Sequence, residues 1–506
     1  MFGRAFKKSL VVLFLVAFLA MSIPVQPVVS AAPKIDTSKK VELEWYVVGD
    51  GQQADTDLVL NKVNEYLKSK INATLKLKTF KWGEDFENKM AAKTVSGERY
   101  DITFTANWHL NYRYWAAKGY FIDITDKMDI YAPKTKALLG EKLLKGAEVN
   151  GRVYGIPTFS KDSATGHGVL LNKKMVSKYK VDTSKIKKLE DLESIFKLIN
   201  VDNPEILDFY PFNYSGESIY NILNYDKIYD SKIPGAVERD GKSTKVVNDF
   251  DTPEAKSLFN LMKKWNKKGY INMTTSVDYY TSWPYEYFEN NVSNTFAFYS
   301  DLSPTICQDI SNKFGIDTVP IELSNRTMTT LNATGAMQAI SKSSENPERA
   351  LMLLELVNTD SYLSNLINFG IEGVHYKKTG NNTISQLAPR YEKYNPCGSW
   401  MFGNQSIVYS LPGDNPSVTS EKNLKEYINN AVASPLLGFS FDTNPVIRDL
   451  GKFIRITDKY INDLSIGKNN SSKNLKKMNA EFKKAGLEKV LNEMQKQVDA
   501  FVKADY

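Results

Sequence analysis

Apolar positions along the chain switch between two periods. Val41 to Val48 alternates apolar and polar residues and then becomes apolar throughout, which predicts a strand ended by the turn Gly49-Asp50-Gly51-Gln52-Gln53. From Thr56 to Ile71 the spacing becomes helical, with Leu58, Val59, Val63, Tyr66, Leu67 and Ile71 on one face. Ala73 to Phe80 alternates again, a second helix is predicted from Glu84 to Val95, and Tyr100 to Thr105 reads as a short apolar strand. This β-α-β-α-β opening predicts an α/β sheet covered by helices.

Helical spacing returns over Tyr112–Lys118, Thr135–Lys145 and Glu190–Ile199. Residues 203–229, rich in Asn, Tyr, Pro and Gly, read as loop. Thr252 to Lys268 is a helix with proline in its first turn. Ala336 to Ser341 reads as a strand end, and Asn346-Pro347-Glu348 opens a helix, Asn capping and Glu meeting the positive helix end. The tail from Ser472 to Lys503 is almost wholly helical.

The amino terminus changes the picture by saying where the protein works. Arg4, Lys7 and Lys8 precede an apolar run from Leu10 to Met21 and a small-residue stretch Val29-Ser30-Ala31-Ala32. This is the layout of a secretory signal peptide, residues 1–31, with cleavage expected after Ala31. The run is shorter than the roughly twenty residues that span a bilayer. No cysteine precedes Cys307, so the leader offers no lipid-attachment site. The protein is expected outside the membrane, secreted or in the cell envelope.

Charge and composition exclude more than they assign. The net charge of +7 falls to +4 once the three basic leader residues are removed, which argues against nucleic acid as partner. Aromatic residues make up 12% of the chain, with 28 Tyr; such side chains suit a ligand that is half apolar face and half hydroxyl. Cys307 and Cys397 are the only cysteines, and a bridge between them stays open. His109, His167 and His375 lack ligand spacing, so neither a metal nor another cofactor is implied. Gly49-Asp50-Gly51 is not a nucleotide fingerprint, because Ala54 stands where the third glycine belongs.

Several stretches, in order, resemble the extracellular solute-binding proteins of the first family, the capture subunits of ABC importers. They are the strand-turn-helix Trp45–Leu67, Val153-Tyr154-Gly155-Ile156-Pro157 (the family's x-Y-G-I-P), Leu171-Asn172-Lys173-Lys174-Met175, and the strand-to-helix passage Ala339–Ala350. Thr359-Asp360, Gly370–Tyr376 and Leu437–Asp442 resemble the C-terminal extension of a Gram-positive oligosaccharide-binding subgroup. The chain departs from the pattern in lacking the lipid-attachment cysteine. The resemblance implies a two-lobe, periplasmic-binding-protein-like type II α/β fold with an interlobe hinge and a helical C-terminal extension. One lobe is expected at residues 33–158 plus 324–375, the other at 159–323 plus 376–506. It also implies a monomer that binds a saccharide, an oligosaccharide being expected, and meets the membrane only through ABC permease subunits.

Ligands of open α/β sheets sit beyond the strands' carboxyl ends. Asp50, Gln53 and Asp55 follow the first strand, and Asn107, Trp108 and Tyr112 follow the third. Trp283 and Tyr285 lie in an aromatic run, and Trp400 and Asn404 in Ser399–Asn404. Aromatic rings can take the C–H face of a sugar while amides and carboxylates take its hydroxyls. Trp45, Trp82 and Trp265 sit in or beside periodic apolar segments and are expected in the core. The rivals are a secreted glycoside hydrolase, which needs a carboxylate pair that no motif singles out, and a saccharide- or peptide-sensing module.

Overall fold

Two sheets, each with its own core, organise the chain. The computed structural model describes residues 36–504 except 84, 203–205, 214, 216, 242, 272–282, 388–389, 397 and 469–470. The expected signal peptide lies outside the described residues.

The first sheet has five strands in the order Ala73–Lys81, Val41–Gly49, Ile102–Thr105, Met337–Ile340, Gly155–Pro157. Val41–Gly49 runs parallel to both neighbours, with Trp45 opposite Leu77 and Ile102. Met337–Ile340 enters antiparallel between Ile102–Thr105 and Gly155–Pro157. Leu43, Trp45, Val47, Leu75, Leu77, Ile102 and Phe104 are all buried, as parallel strands covered by helices require. The helix Thr56–Ile71 buries Val59, Val63, Leu67 and Ile71 and ends at Asn72 in the left-handed conformation, which turns the chain into the next strand.

The second sheet has the order Thr318–Glu322, Gly166–Asn172, Thr295–Leu302, Leu207–Tyr210. Gly166–Asn172 is antiparallel to both neighbours, and Leu207–Tyr210 is parallel to Thr295–Leu302. Leu207–Tyr210 falls inside the stretch expected as loop; its four residues are all buried, and four are too few to show a period. Trp45 and Trp265 are core, as expected; Trp265 meets Phe196 at 4.9 Å and Phe209 at 5.0 Å.

The chain passes between the sheets three times, at residues 157–166, 322–337 and 432–439. The passages lie side by side: Thr165 bridges Thr327, and Thr327–Met328 pairs in parallel with Val432–Ala433. The Tyr427 hydroxyl donates to Ala164 O at 3.0 Å and Leu302 O at 2.9 Å. The result is the expected fold, two α/β lobes joined by a hinge.

The expected division kept 376–506 together with the second lobe. Instead Tyr394, Met401, Phe402, Leu424 and Ile428 lie in the core of the first sheet. Buried Gln338 explains part of this capture: its Oε1 accepts from Trp45 Nε1 at 2.7 Å and its Nε2 donates to Met401 O at 2.9 Å. The helices Ile447–Ser465, Ser471–Lys484 and Leu487–Ala504 form a third core with residues of 220–259, joining Phe453, Met478, Phe482 and Met494 to Val237, Phe250 and Phe259. Among the described residues no helix is long and apolar enough to cross a membrane.

Candidate functional site

Three tryptophans from distant parts of the chain meet beyond the carboxyl end of the first sheet. Trp82 follows the strand Ala73–Lys81 in a turn, Trp108 follows Ile102–Thr105, and Trp400 stands in the short helix Ser399–Phe402. Their ring centroids are 6.4 Å (82–108), 6.2 Å (82–400) and 6.2 Å (108–400) apart, with planes inclined by 25°, 23° and 41°. Nearly equal separations make a triangular array rather than a linear stack. Buried Phe104 supports it from below, 5.8 Å from Trp108 and 5.6 Å from Trp400.

Local bonds fix the rings. Trp82 N–H donates to Gly49 O at 2.8 Å. Trp108 Nε1 donates to Gly335 O at 2.8 Å, and Asn107 Nδ2 donates to Leu331 O at 2.7 Å. Both contacts tie the loop after the third strand to the second passage. Trp82 and Trp108 remain 49% and 51% exposed, an unusual cost for indole surfaces unless something covers them. The expectation that Trp82 is core is therefore corrected; it is the ring the sequence reading missed.

The other candidates divide by what already holds them. Asn395 Nδ2 donates to Asp50 Oδ2 at 2.6 Å, Asn395 N–H donates to Gln53 Oε1, and His375 Nε2 lies 3.2 Å from Asp55 Oδ2. Asp55 N–H also donates to Lys393 O at 3.1 Å. These three residues clasp the segment that leads to Trp400. Tyr112 is corrected to core: it is buried, its hydroxyl donates to Ala147 O at 2.7 Å and accepts from Tyr154 N–H at 3.0 Å, and burial raises its pKa far above the ordinary phenol range. Asn404 is also corrected: it is buried, donates to Asn358 O at 3.0 Å and accepts from Ser406 N–H at 2.8 Å as a turn cap. Trp283 opens the helix Trp283–Asn291, which includes Tyr285; their side chains lie outside the described residues.

The second sheet carries a polar cluster at the end nearest the passages. Asp301 Oδ1 accepts from Tyr299 OH at 2.7 Å and is 2.7 Å from His167 Nδ1. Burial lowers the His167 pKa, so neutral imidazole with its proton on Nδ1 fits this contact. Burial works against Asp301, but the bonds from His167 and Tyr299 hold its carboxyl below the ordinary range. Glu217 lies against it; the protein packed around Glu217 and then the Asp301 charge raise its pKa, although solvent still reaches the side chain. Buried Arg239 donates through Nε and Nη2 to Tyr225 O at 3.0 and 2.6 Å. No stretch of sequence marks this cluster, because its members come from four separate segments.

Cys307 is a half-buried free thiol; Cys397 lies outside the described residues.

Two lobes, a hinge of adjacent strands and an aromatic face beyond the carboxyl end of a sheet define a two-lobe binding protein. Comparisons place it further. A carbohydrate ABC transporter substrate-binding protein of Streptococcus pneumoniae serotype 4 is 29% identical over 478 residues, covering 92% of each chain. The polygalacturonan/rhamnogalacturonan-binding protein YtcQ of Bacillus subtilis is 22% identical over 375 residues, 71% of each. The N-glycan transport solute-binding protein NgtS of Streptococcus pneumoniae superposes with a TM-score of 0.76 at 26% identity, covering 92% of this chain and 100% of that one. Its complexes with Man1GlcNAc and Man5GlcNAc superpose with TM-scores of 0.64 and 0.61 over the same shares. Residues 435–503, the last three helices, match a family described as a domain of unknown function, DUF3502. Over nearly its whole length the chain is therefore similar to carbohydrate substrate-binding proteins of ABC transporters.

Proposed function

We propose that the protein is exported, captures a saccharide between its lobes and presents it to an ABC permease, with an oligosaccharide as the ligand. The observation that carries this reading is the exposed array of Trp82, Trp108 and Trp400. A sugar ring has one face of C–H groups, which an indole covers, and a rim of hydroxyls left for polar partners. Three rings in a triangle offer more surface than one sugar unit uses, which favours a chain of units. NgtS, the similar solved structure, is known in complex with Man1GlcNAc and Man5GlcNAc, which supports the reading.

Capture needs closure, and closure needs contacts that exist only when the lobes meet. Binding in such a cleft breaks no bond, and the role proposed is not enzymatic.

The test is thermal melting of the purified protein, leader removed, against neutral and acidic oligosaccharides, peptides and amino acids. Ligand that binds only the folded state raises the melting temperature. A rise with oligosaccharides, and no product by chromatography, is expected. Consumption of the sugar would revive the hydrolase, and a rise with peptides alone would overturn the ligand class.

A further inference from the structure

We propose that the outward face of the helix Ser471–Lys484, a stripe of five lysines, holds the protein against a bilayer containing anionic phospholipid. That a bilayer lies within reach rests on the reading above, in which the protein serves an ABC permease; the stripe itself does not.

Helical spacing makes the stripe. Lys473, Lys476, Lys477, Lys483 and Lys484 are all exposed, and helix geometry puts them within about 120° of one another around the axis. Leu475, Met478 and Phe482 fall on the opposite side, where they are buried in the core of the last three helices. Five lysines against one glutamate give these fourteen residues a net charge of +4. That equals the net charge of the whole chain without its leader, so the rest of the protein is close to neutral on balance.

Neighbouring carboxylates are occupied elsewhere. Glu481, the one acidic residue of the helix, borders the stripe and accepts from Lys459 Nζ at 2.8 Å and from the Tyr460 hydroxyl at 2.6 Å. The Lys459 bond first, then that of Tyr460 and the nearby charge of Lys477, hold its carboxyl below the ordinary range. Among the described residues no carboxylate forms a salt bridge with any of the five stripe lysines. Ser472 Oγ donates to Asn260 Oδ1 at 2.7 Å, which joins the stripe to the helix Pro253–Lys267. That helix adds Lys263 and exposed Lys267, while its Lys256 is bridged to Asp251 at 2.8 Å and its Lys264 to Glu193 at 2.6 Å. Glu488, the next carboxylate along the chain, opens the following helix.

The residue types select the partner. Lysine is a compact, hydrated charge on a flexible stem, suited to a diffuse anionic surface, whereas fixed recognition of one phosphate favours the arginine fork. From Lys473 to Lys484 the stripe runs about 16 Å. Ala480 is the one apolar residue among the lysines, and the apolar side of the helix is committed to the core. The helix can therefore adsorb to headgroups by charge but has nothing to insert among acyl chains. The tryptophan array packs on the core of the first sheet, so attachment and ligand capture use different parts of the molecule. Adsorption would keep the protein concentrated beside a membrane-bound partner.

The experiment is co-sedimentation of the purified protein, leader removed and without saccharide, with vesicles of phosphatidylcholine alone or mixed equally with phosphatidylglycerol. The stripe variant is Lys476→Gln/Lys483→Gln/Lys484→Gln. A control of equal charge change, Lys68→Gln/Lys78→Gln/Lys197→Gln, alters exposed lysines on other elements. Wild type is expected to sediment with the mixed vesicles, not with phosphatidylcholine, and to be released at high salt. The stripe variant should bind the mixed vesicles about a hundredfold more weakly, each lysine counting for about fivefold, with wild-type melting temperature and saccharide affinity. The control should stay close to wild type. Equal binding by wild type and the stripe variant overturns the proposal, as does an equal loss in the control or equal binding to phosphatidylcholine alone. Retention by soluble polyphosphate without binding to either vesicle also overturns it, in favour of a phosphate polymer. Each of these results leaves saccharide capture standing, and a protein that adsorbs through the stripe but binds no saccharide removes only the capture reading.

Discussion

Replacing Trp82 by alanine separates the tryptophan array from the scaffold that carries it. The ring is 49% exposed and meets Trp108 and Trp400 at 6.4 and 6.2 Å. The turn itself is held by the backbone bond to Gly49 O at 2.8 Å, which truncation spares. A tryptophan side chain has roughly 200 Å² to bury. With about half exposed and one face covered by a sugar, about 50 Å² leaves water on binding, or roughly 1.3 kcal/mol. That predicts a Kd about tenfold weaker. The folded state loses two half-exposed ring contacts, each worth about 1 kcal/mol or less, and in a chain of this length the melting temperature should fall by a few degrees at most. Isothermal titration and a melt on the same preparation read both numbers. A Kd equal to that of wild type would refute the platform, and a collapsed melting temperature with intact affinity in the survivors would return Trp82 to the core.

Other substitutions test other parts of the molecule. Asp208 is fully buried; burial pushes its pKa up to about 7, against the bond from Asn200. Its folded form favours the proton, so its contribution to stability is full below the ordinary aspartate range and is lost as pH rises through about 7. Asp208→Asn should melt higher than wild type at alkaline pH and level with it at acid pH; a difference independent of pH would sink the argument. Tyr427→Phe removes a donor shared by Ala164 O and Leu302 O and should cost about 1–2 kcal/mol in denaturant unfolding; no loss would mean that the hydroxyl does not tie the passages. Gly438 has a φ of 90°, a Cβ there would stand 2.7 Å from Lys145 O, and its carbonyl accepts from buried Arg113. Gly438→Ala should therefore destabilise the fold by more than about 1 kcal/mol, measured by the same unfolding assay, and a neutral result would contradict that packing.

Much of the fold was legible where a single period runs for several turns. The opening units could be read because Val59, Val63 and Leu67 repeat on one helix face beside strands that alternate. The last two helices were legible as a long stretch with few breakers, whereas Ile447–Ser465 before them was not read. Leu207–Tyr210 was not, because four residues are too few to show a period and a buried Asp208 interrupts the apolar run. Trp82 was misjudged because it follows an alternating strand closely; the useful signal was Gly83 just after it, which marks a turn and frees the ring from the strand's parity. Tyr112 and Asn404 looked like rim residues by type, yet backbone groups already satisfy them. Trp108 and Trp400 were readable as candidates, but not as neighbours, since Gln338 draws the Trp400 helix in from far along the chain. The Glu217–Asp301 pair is a tertiary product with no local signature.

The first core runs from Val41 to Leu437 in the sequence. During synthesis its sheet is assembled early, but Met401, Phe402, Leu424 and Ile428 arrive only when most of the chain has been made. Contacts so distant in sequence form slowly, since the intervening chain must be ordered before they reward it. The lobe that is begun first therefore waits for residues as late as Leu437. A nascent chain that stops short of the helix Glu421–Asn429 leaves part of its first core uncovered, and the protein stays unfinished and open to handling for nearly as long as it takes to make.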